Sequence, residues 1–153
     1  MSINEKLSAL GLTLPTAAAP VAAYVPAVKS GNLVFTAGQL PVIDGKLVKE
    51  GKVGGDVTAE DAKELAQICA LNALAAISLV ADLDQIERVV RVGGFVNCAP
   101  GFTAIPGVVN GASEIFVKIF GDVNGKHART AVGVAELPLN APVEIEVIVR
   151  IKD

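Results

Sequence analysis

Val143-Glu-Ile-Glu-Val-Ile-Val-Arg-Ile151, near the end of the chain, alternates with a period of two residues. Val143, Ile145, Val147, Val149 and Ile151 fall on one face, and Glu144, Glu146, Ile148 and Arg150 on the other, which is the pattern of a β-strand. The wholly apolar face belongs beneath helices. The other face mixes two carboxylates with Ile148 and leaves two readings open, a solvated face or a wall of a cleft between subunits.

The stretch just before it, Ala128 to Leu137, reads as a further strand. Its parity sets Ala128, Thr130, Val132 and Val134 against Arg129, Ala131, Gly133 and Ala135. Small residues behind the arginine leave room for another backbone or a small ligand. A guanidinium at the rim of that space suits a carboxylate; a surface ion pair with Glu136 or Asp122 is the alternative. His127, the only histidine, has no Asp or Cys in its motif and is read as a loop neighbour of the site. If the last two strands formed a simple hairpin, Arg129 and Glu144 would stand roughly 20 Å apart. They would then meet only across a subunit boundary or in another strand order.

Upstream, Ser2 to Leu10 forms a short amphipathic helix with a Ser2/Glu5 capping box, ended by Gly11. An extended Pro and Ala linker follows. Tyr24–Val28 and Asn32–Ala37 are strand patterns around a Lys-Ser-Gly turn, and Asp44-Gly45 turns between two further short strands. Thr58 caps the strongest helix, whose Leu65, Ile68, Cys69, Asn72, Ala75, Ala76 and Leu79 make one buried face. Asn72 on that face is expected to bond to loop backbone. Ile86–Val96 is strand-like, its Gly93-Gly94 pair marking a bulge or a close backbone approach. Residues 97–106 read as a loop, and Asn110–Phe120 as a second helix ended by Gly121. Strands and helices in this order give an α+β layer with two main helices on one sheet face.

With 153 residues the chain has room for one domain. It is 52 % hydrophobic yet 4 % aromatic, so it carries more aliphatic surface than one small core hides, which predicts burial between subunits. A net charge of −3 and no basic cluster longer than a dipeptide argue against a nucleic-acid partner. Two distant cysteines and one histidine exclude a zinc site and a disulfide framework, and no phosphate loop or G-x-S-x-G elbow occurs. No cofactor or metal is expected. Glu5 before Lys6, and Pro15 within the apolar stretch, speak against a secretory signal, and no apolar run reaches membrane-helix length. The expected setting is cytoplasmic, with no membrane partner.

Five segments together resemble the RidA (YjgF) family of imine deaminase-like proteins, in its longer subgroup. They are Ala23–Pro26, Ser30–Pro41, Val109–Phe116, His127–Pro138 and Val143–Val147, in the family's order. The resemblance covers about residues 20–152, and makes residues 1–20 an N-terminal extension and 21–153 one RidA-like domain. It implies a chorismate-mutase-like mixed sheet, a homotrimer with a central barrel, and clefts between neighbours. It also implies hydrolysis of reactive 2-enamino and 2-imino acids to 2-keto acids and ammonia. Arg129 matches the residue that grips the substrate carboxylate, and Glu144 the one linked to water activation. Tyr24, Gly38, Gln39 and Asn110 match cleft positions. Ala37 and Ala131 also match cleft positions, where many members have Ser and Cys, and His127 replaces a common Pro. The other readings are a non-catalytic trimer binding small carboxylates or serving regulation, and a ribonuclease or translation inhibitor, which the acidic composition disfavours.

Overall fold

The computed structural model describes residues 1–19 and 22–153; the expected boundary between extension and domain, at residues 20 and 21, lies outside them. Helix α1, Ile3–Ala9, begins with the expected capping box: Ser2 Oγ accepts from Glu5 N while the Glu5 carboxylate accepts from Ser2 N. Ile3 and Leu7 are buried in the main core, so this segment is packed into the fold.

Strands β1 (Ala27–Ser30) and β2 (Leu33–Thr36) form the first hairpin. The turn falls at Gly31-Asn32, two residues later than the Lys-Ser-Gly reading, because Gly31 supplies the positive φ of 61°. Tyr24 to Pro26 therefore precede the strand. Strands β3 (Val42–Ile43) and β4 (Lys46–Leu47) make a small separate hairpin about Asp44-Gly45, both with positive φ, as the turn pattern requires.

Helix α2 runs from Ala59 to Ser78, capped by Thr58 Oγ1 on Asp61 N. The single apolar face expected for it is too narrow. Ala62, Ala66, Ala70, Ala73, Leu74 and Ile77 are buried as well, and Leu79, placed on that face, is 57 % exposed at the C-cap. Its small residues allow the sheet on one side and a second helix on another to approach together. That helix, α3, spans Ile105–Gly125 with a break at Gly121. It starts five residues before the expected Asn110, since Pro106 lies in the first turn, where its missing N–H costs nothing.

Strand β5 (Ile86–Asn97) lies between the two strands that end the chain, β6 (Ala128–Val134) and β7 (Val143–Ile151). The sheet order is β1-β2-β7-β5-β6, with only the β5–β6 pair parallel, so β6 and β7 are not a hairpin. Along β7 burial alternates as the sequence requires: its odd residues are buried, on the face that α2 covers, and its even ones are not. The bulges in β5 occur near Ile86–Arg91, not at the glycine pair. Gly93 and Gly94 instead admit side chains, Glu146 on one face and Val109 on the other.

Gly111 sets how closely the two helices pack. A methyl group there would overlap the backbone carbonyl of Lys63 in α2. Gly111→Ala gains helix propensity but forces α2 and α3 apart, and is expected to cost on the order of 3 kcal/mol. Thermal unfolding checks this, with a midpoint lower by about 10 °C.

Candidate functional site

Arg129 stands opposite Val92 in the β5–β6 register, so it points to the helix side of the edge strand β6. Its Nη1 donates to Asn110 Oδ1 at 2.8 Å and to Ser113 Oγ at 3.2 Å, both on α3. An arginine only donates, so Ser113 Oγ accepts from it and turns its own proton to His127 Nε2, 2.9 Å away. His127 Nδ1–H then donates to Gly125 O at 2.6 Å, which fixes the neutral tautomer. Burial, helped by the Arg129 charge, pulls the histidine below its ordinary range, while the bond to Gly125 opposes this. His127 also meets Phe116 edge-on at 6.2 Å, in the loop between α3 and β6.

Arg129 is half-buried and makes no ion pair among the described residues. The two carboxylates weighed as its partners are taken elsewhere, Glu136 by Lys52 at 3.4 Å and Asp122 by Lys126 at 2.8 Å. The space expected behind the arginine is occupied. A side chain at Gly133 would stand 2.9 Å from Cys98 Sγ and 3.1 Å from Ile105 Cδ1, and Ala131 packs against the core. Both are on the face that lies under α3, so the chain itself fills the gap.

Glu144 occupies a different place. It stands opposite Phe95, on the face of the sheet away from the helices, and its carboxyl group lies against Gly38. The segment after β2 crosses there because Gln39 exchanges both backbone hydrogen bonds with Ile145, at 2.8 and 3.0 Å. A methyl at Gly38 would be 2.5 Å from Glu144 Oε1, so only glycine leaves the carboxyl its position. Burial, and secondarily the charge of Glu146, push Glu144 above the usual carboxylate range.

Glu144, Gly38, Gln39 and Tyr24 line a cavity of about 530 Å³ beside the β3–β4 hairpin. Asn72 braces its wall from α2, donating to Leu40 O at 3.0 Å and Val42 O at 2.9 Å, the loop-backbone role expected of it. Ala37 is at the cavity's edge, its carbonyl accepting from Gln39 Nε2 at 3.1 Å, and is not part of the lining.

The predicted site residues thus form two groups. Tyr24, Gly38, Gln39 and Glu144 converge; Asn110, His127, Arg129 and Ala131 converge elsewhere. By register the arginine and the glutamate are three residues and two strands apart, roughly 14 Å, on opposite sides of the sheet. The strand order that replaces the hairpin does not bring them together. Ser113 was missed by sequence reading, although its spacing from Asn110, one helical turn, was the available signal. The described residues hold no cluster of His, Cys, Asp and Glu that would bind a metal, and no helix is long and apolar enough to cross a membrane. Cys69 is buried with its thiol pushed well up by burial, donating to Val143 O at 3.8 Å.

Comparison with known proteins identifies the family. Residues 4–150 match the family model described as "YjgF/chorismate mutase-like, putative endoribonuclease". Protein TCP17 of Trypanosoma cruzi is 40 % identical, over 99 % of this chain and 95 % of its own. A 2-iminobutanoate/2-iminopropanoate deaminase of Dermatophagoides farinae is 35 % identical, over 92 % and 95 %. The crystal structure of Atu1372 from Agrobacterium tumefaciens, a protein of unknown function, superposes with a TM-score of 0.89 at 44 % identity, covering 99 % of this chain and 94 % of that one.

The raised Glu144 pKa has a direct consequence. The folded chain holds the proton more tightly than the unfolded one, so stability is full below the ordinary carboxylate pKa and is lost as pH rises through the raised value. Glu144→Gln abolishes that loss. At neutral pH the variant is expected to be the more stable, by a small margin because the site is only half-buried. Unfolding midpoints of both proteins between pH 4 and 8 check this, and the two curves converge at the acid end.

Proposed function

The chain belongs to the YjgF/chorismate mutase-like family, and from that membership and the placing of its charged groups we propose that it hydrolyses 2-imino acids, or their enamine tautomers, to 2-keto acids and ammonia. The observation that carries this reading is the placing of Glu144, whose carboxyl group lies against Gly38 at the wall of a cavity, where burial pushes it above the usual carboxylate range. Such a group can take a proton from water and return it at working pH. Water adds to the imine carbon, one proton passing through Glu144 to the nitrogen. The C–N bond of the resulting carbinolamine then breaks, ammonia leaves, and the hydroxyl becomes the carbonyl of the keto acid. The imine is already electrophilic, so positioning and proton transfer suffice.

The substrate carboxylate needs a cation, and the described residues lining the cavity supply none. Its charged lining groups are Glu144 and Asp44. Arg129, held by the neutral Asn110 and Ser113 with no carboxylate of its own, supplies one from the edge of a neighbouring chain. Two features favour a homotrimer built this way. Strand β6 ends the sheet with one side unpaired, and the sheet face away from the helices carries Val28, Phe35 and Val132, each at least 39 % exposed in the single chain.

Arg129→Ala and Glu144→Gln are each expected to lower kcat/KM at least 100-fold. When the two inactive variants are mixed through unfolding and refolding, random association rebuilds roughly a quarter of the clefts with both residues intact, so activity returns. The initial rate of imine loss checks this. A mixture as inactive as its components overturns the shared cleft, and unchanged single variants overturn the chemistry.

A further inference from the structure

The cavity beside Glu144 is larger than a three-carbon acid needs. At about 530 Å³ it is of the size that encloses sizeable organic ligands, roughly 300–1,000 Å³. Its lining combines the polar Glu144, Gln39, Asn72 and Asp44 with a larger apolar share. One wall is the β3–β4 hairpin, with Leu40, Val42 and Ile43, and the other is the stretch Pro15–Ala19 that follows α1.

Both walls are built features. Asn72 ties the carbonyls of Leu40 and Val42 to α2. The opposing arm starts from α1, whose Ile3 and Leu7 are 5 % and 1 % exposed, and is fastened further by Leu12 and Leu14 against the core. From Ala17 to Ala19 the arm offers methyl groups, which leave width between it and Ile43. Asp44, on the hairpin turn, adds a negative charge to the lining.

Accepting imine hydrolysis as the reaction, we infer that the N-terminal arm and the β3–β4 hairpin form a side-chain pocket selecting 2-imino acids with apolar side chains of three or more carbons. An imino acid fixed by its carboxylate and its C=N group at the Glu144 end has one direction left for its side chain, between these walls. A methyl side chain leaves them in water. A branched aliphatic chain covers them, for a gain of about tenfold or more in kcat/KM over the methyl side chain. An acidic side chain meets Asp44 on the hairpin and is rejected.

The test uses imines generated in place by a broad-specificity L-amino-acid oxidase with catalase, from alanine, leucine and glutamate. Semicarbazide traps whatever imine escapes hydrolysis. The wild-type protein is expected to favour the leucine imine over the alanine imine by tenfold or more in kcat/KM, with the glutamate imine slowest. Ile43→Asp and Ala17→Asp, verified as folded by their unfolding midpoints, bring the leucine-to-alanine ratio toward one, and Ile43→Leu keeps it. Acceleration with no preference for leucine, or a ratio that neither aspartate variant changes, overturns the pocket and leaves the reaction standing. No acceleration of any imine overturns the reaction itself.

Discussion

The close approach of α2 and α3 at Gly111 determines where Arg129, the cation of the candidate site, is held. Four consecutive residues of α3, Asn110-Gly-Ala-Ser113, divide their work by helical geometry. Gly111 and Ala112 are buried, and Gly111 admits the Lys63 carbonyl. Asn110 and Ser113, one turn apart, face the edge strand and hold Arg129. A helix displaced from α2 would move both ligands of the guanidinium, and with Ser113 the hydrogen bond that orders His127. Packing and charge placement are therefore one constraint.

The second constraint is the sheet order. Inserting β5 between β6 and β7 gives Arg129 and Glu144 different faces as well as different strands. Each is then prepared by neighbours on its own side. Arg129 is held by neutral oxygens that leave its charge uncompensated, and Glu144 is tuned by burial beside a glycine. Neither compensates the other within a chain. That arrangement suits groups that act on one molecule from two directions, and suits no intramolecular ion pair.

Local chemistry was legible in the sequence, and long-range pairing was not. The alternation of β7, the capping box at Ser2, the Asp44-Gly45 turn and the bonding of Asn72 each depend on neighbours within a few residues or on one buried face. The parallel β5–β6 pair joins segments with a whole helix between them, and no period records it. The same gap explains the misread space behind Arg129. Parity correctly put Arg129, Ala131 and Gly133 together but said nothing of what covers that side, which is Cys98 and Ile105. In α2 the apolar stripe accounts for one contact surface, whereas an alanine-rich helix can be buried against two. Ser113 escaped notice because a serine inside a helix is ordinary until its partner is known.

The unpaired arginine also bears on assembly. A guanidinium half-buried without a counter-ion stands higher in free energy than one with a carboxylate at hand. The acidic cavity of the same chain has the opposite defect, a carboxyl group pushed upward and no cation among its lining residues. In the proposed trimer these two defects face each other across a cleft. The arginine then offsets the negative potential around Glu144, and a bound carboxylate completes the balance by accepting the fork of Arg129. Charge complementarity between chains thus favours association and leaves a vacancy that fits one more anion. A monovalent acid fills it, and a second negative group has no cation left to meet.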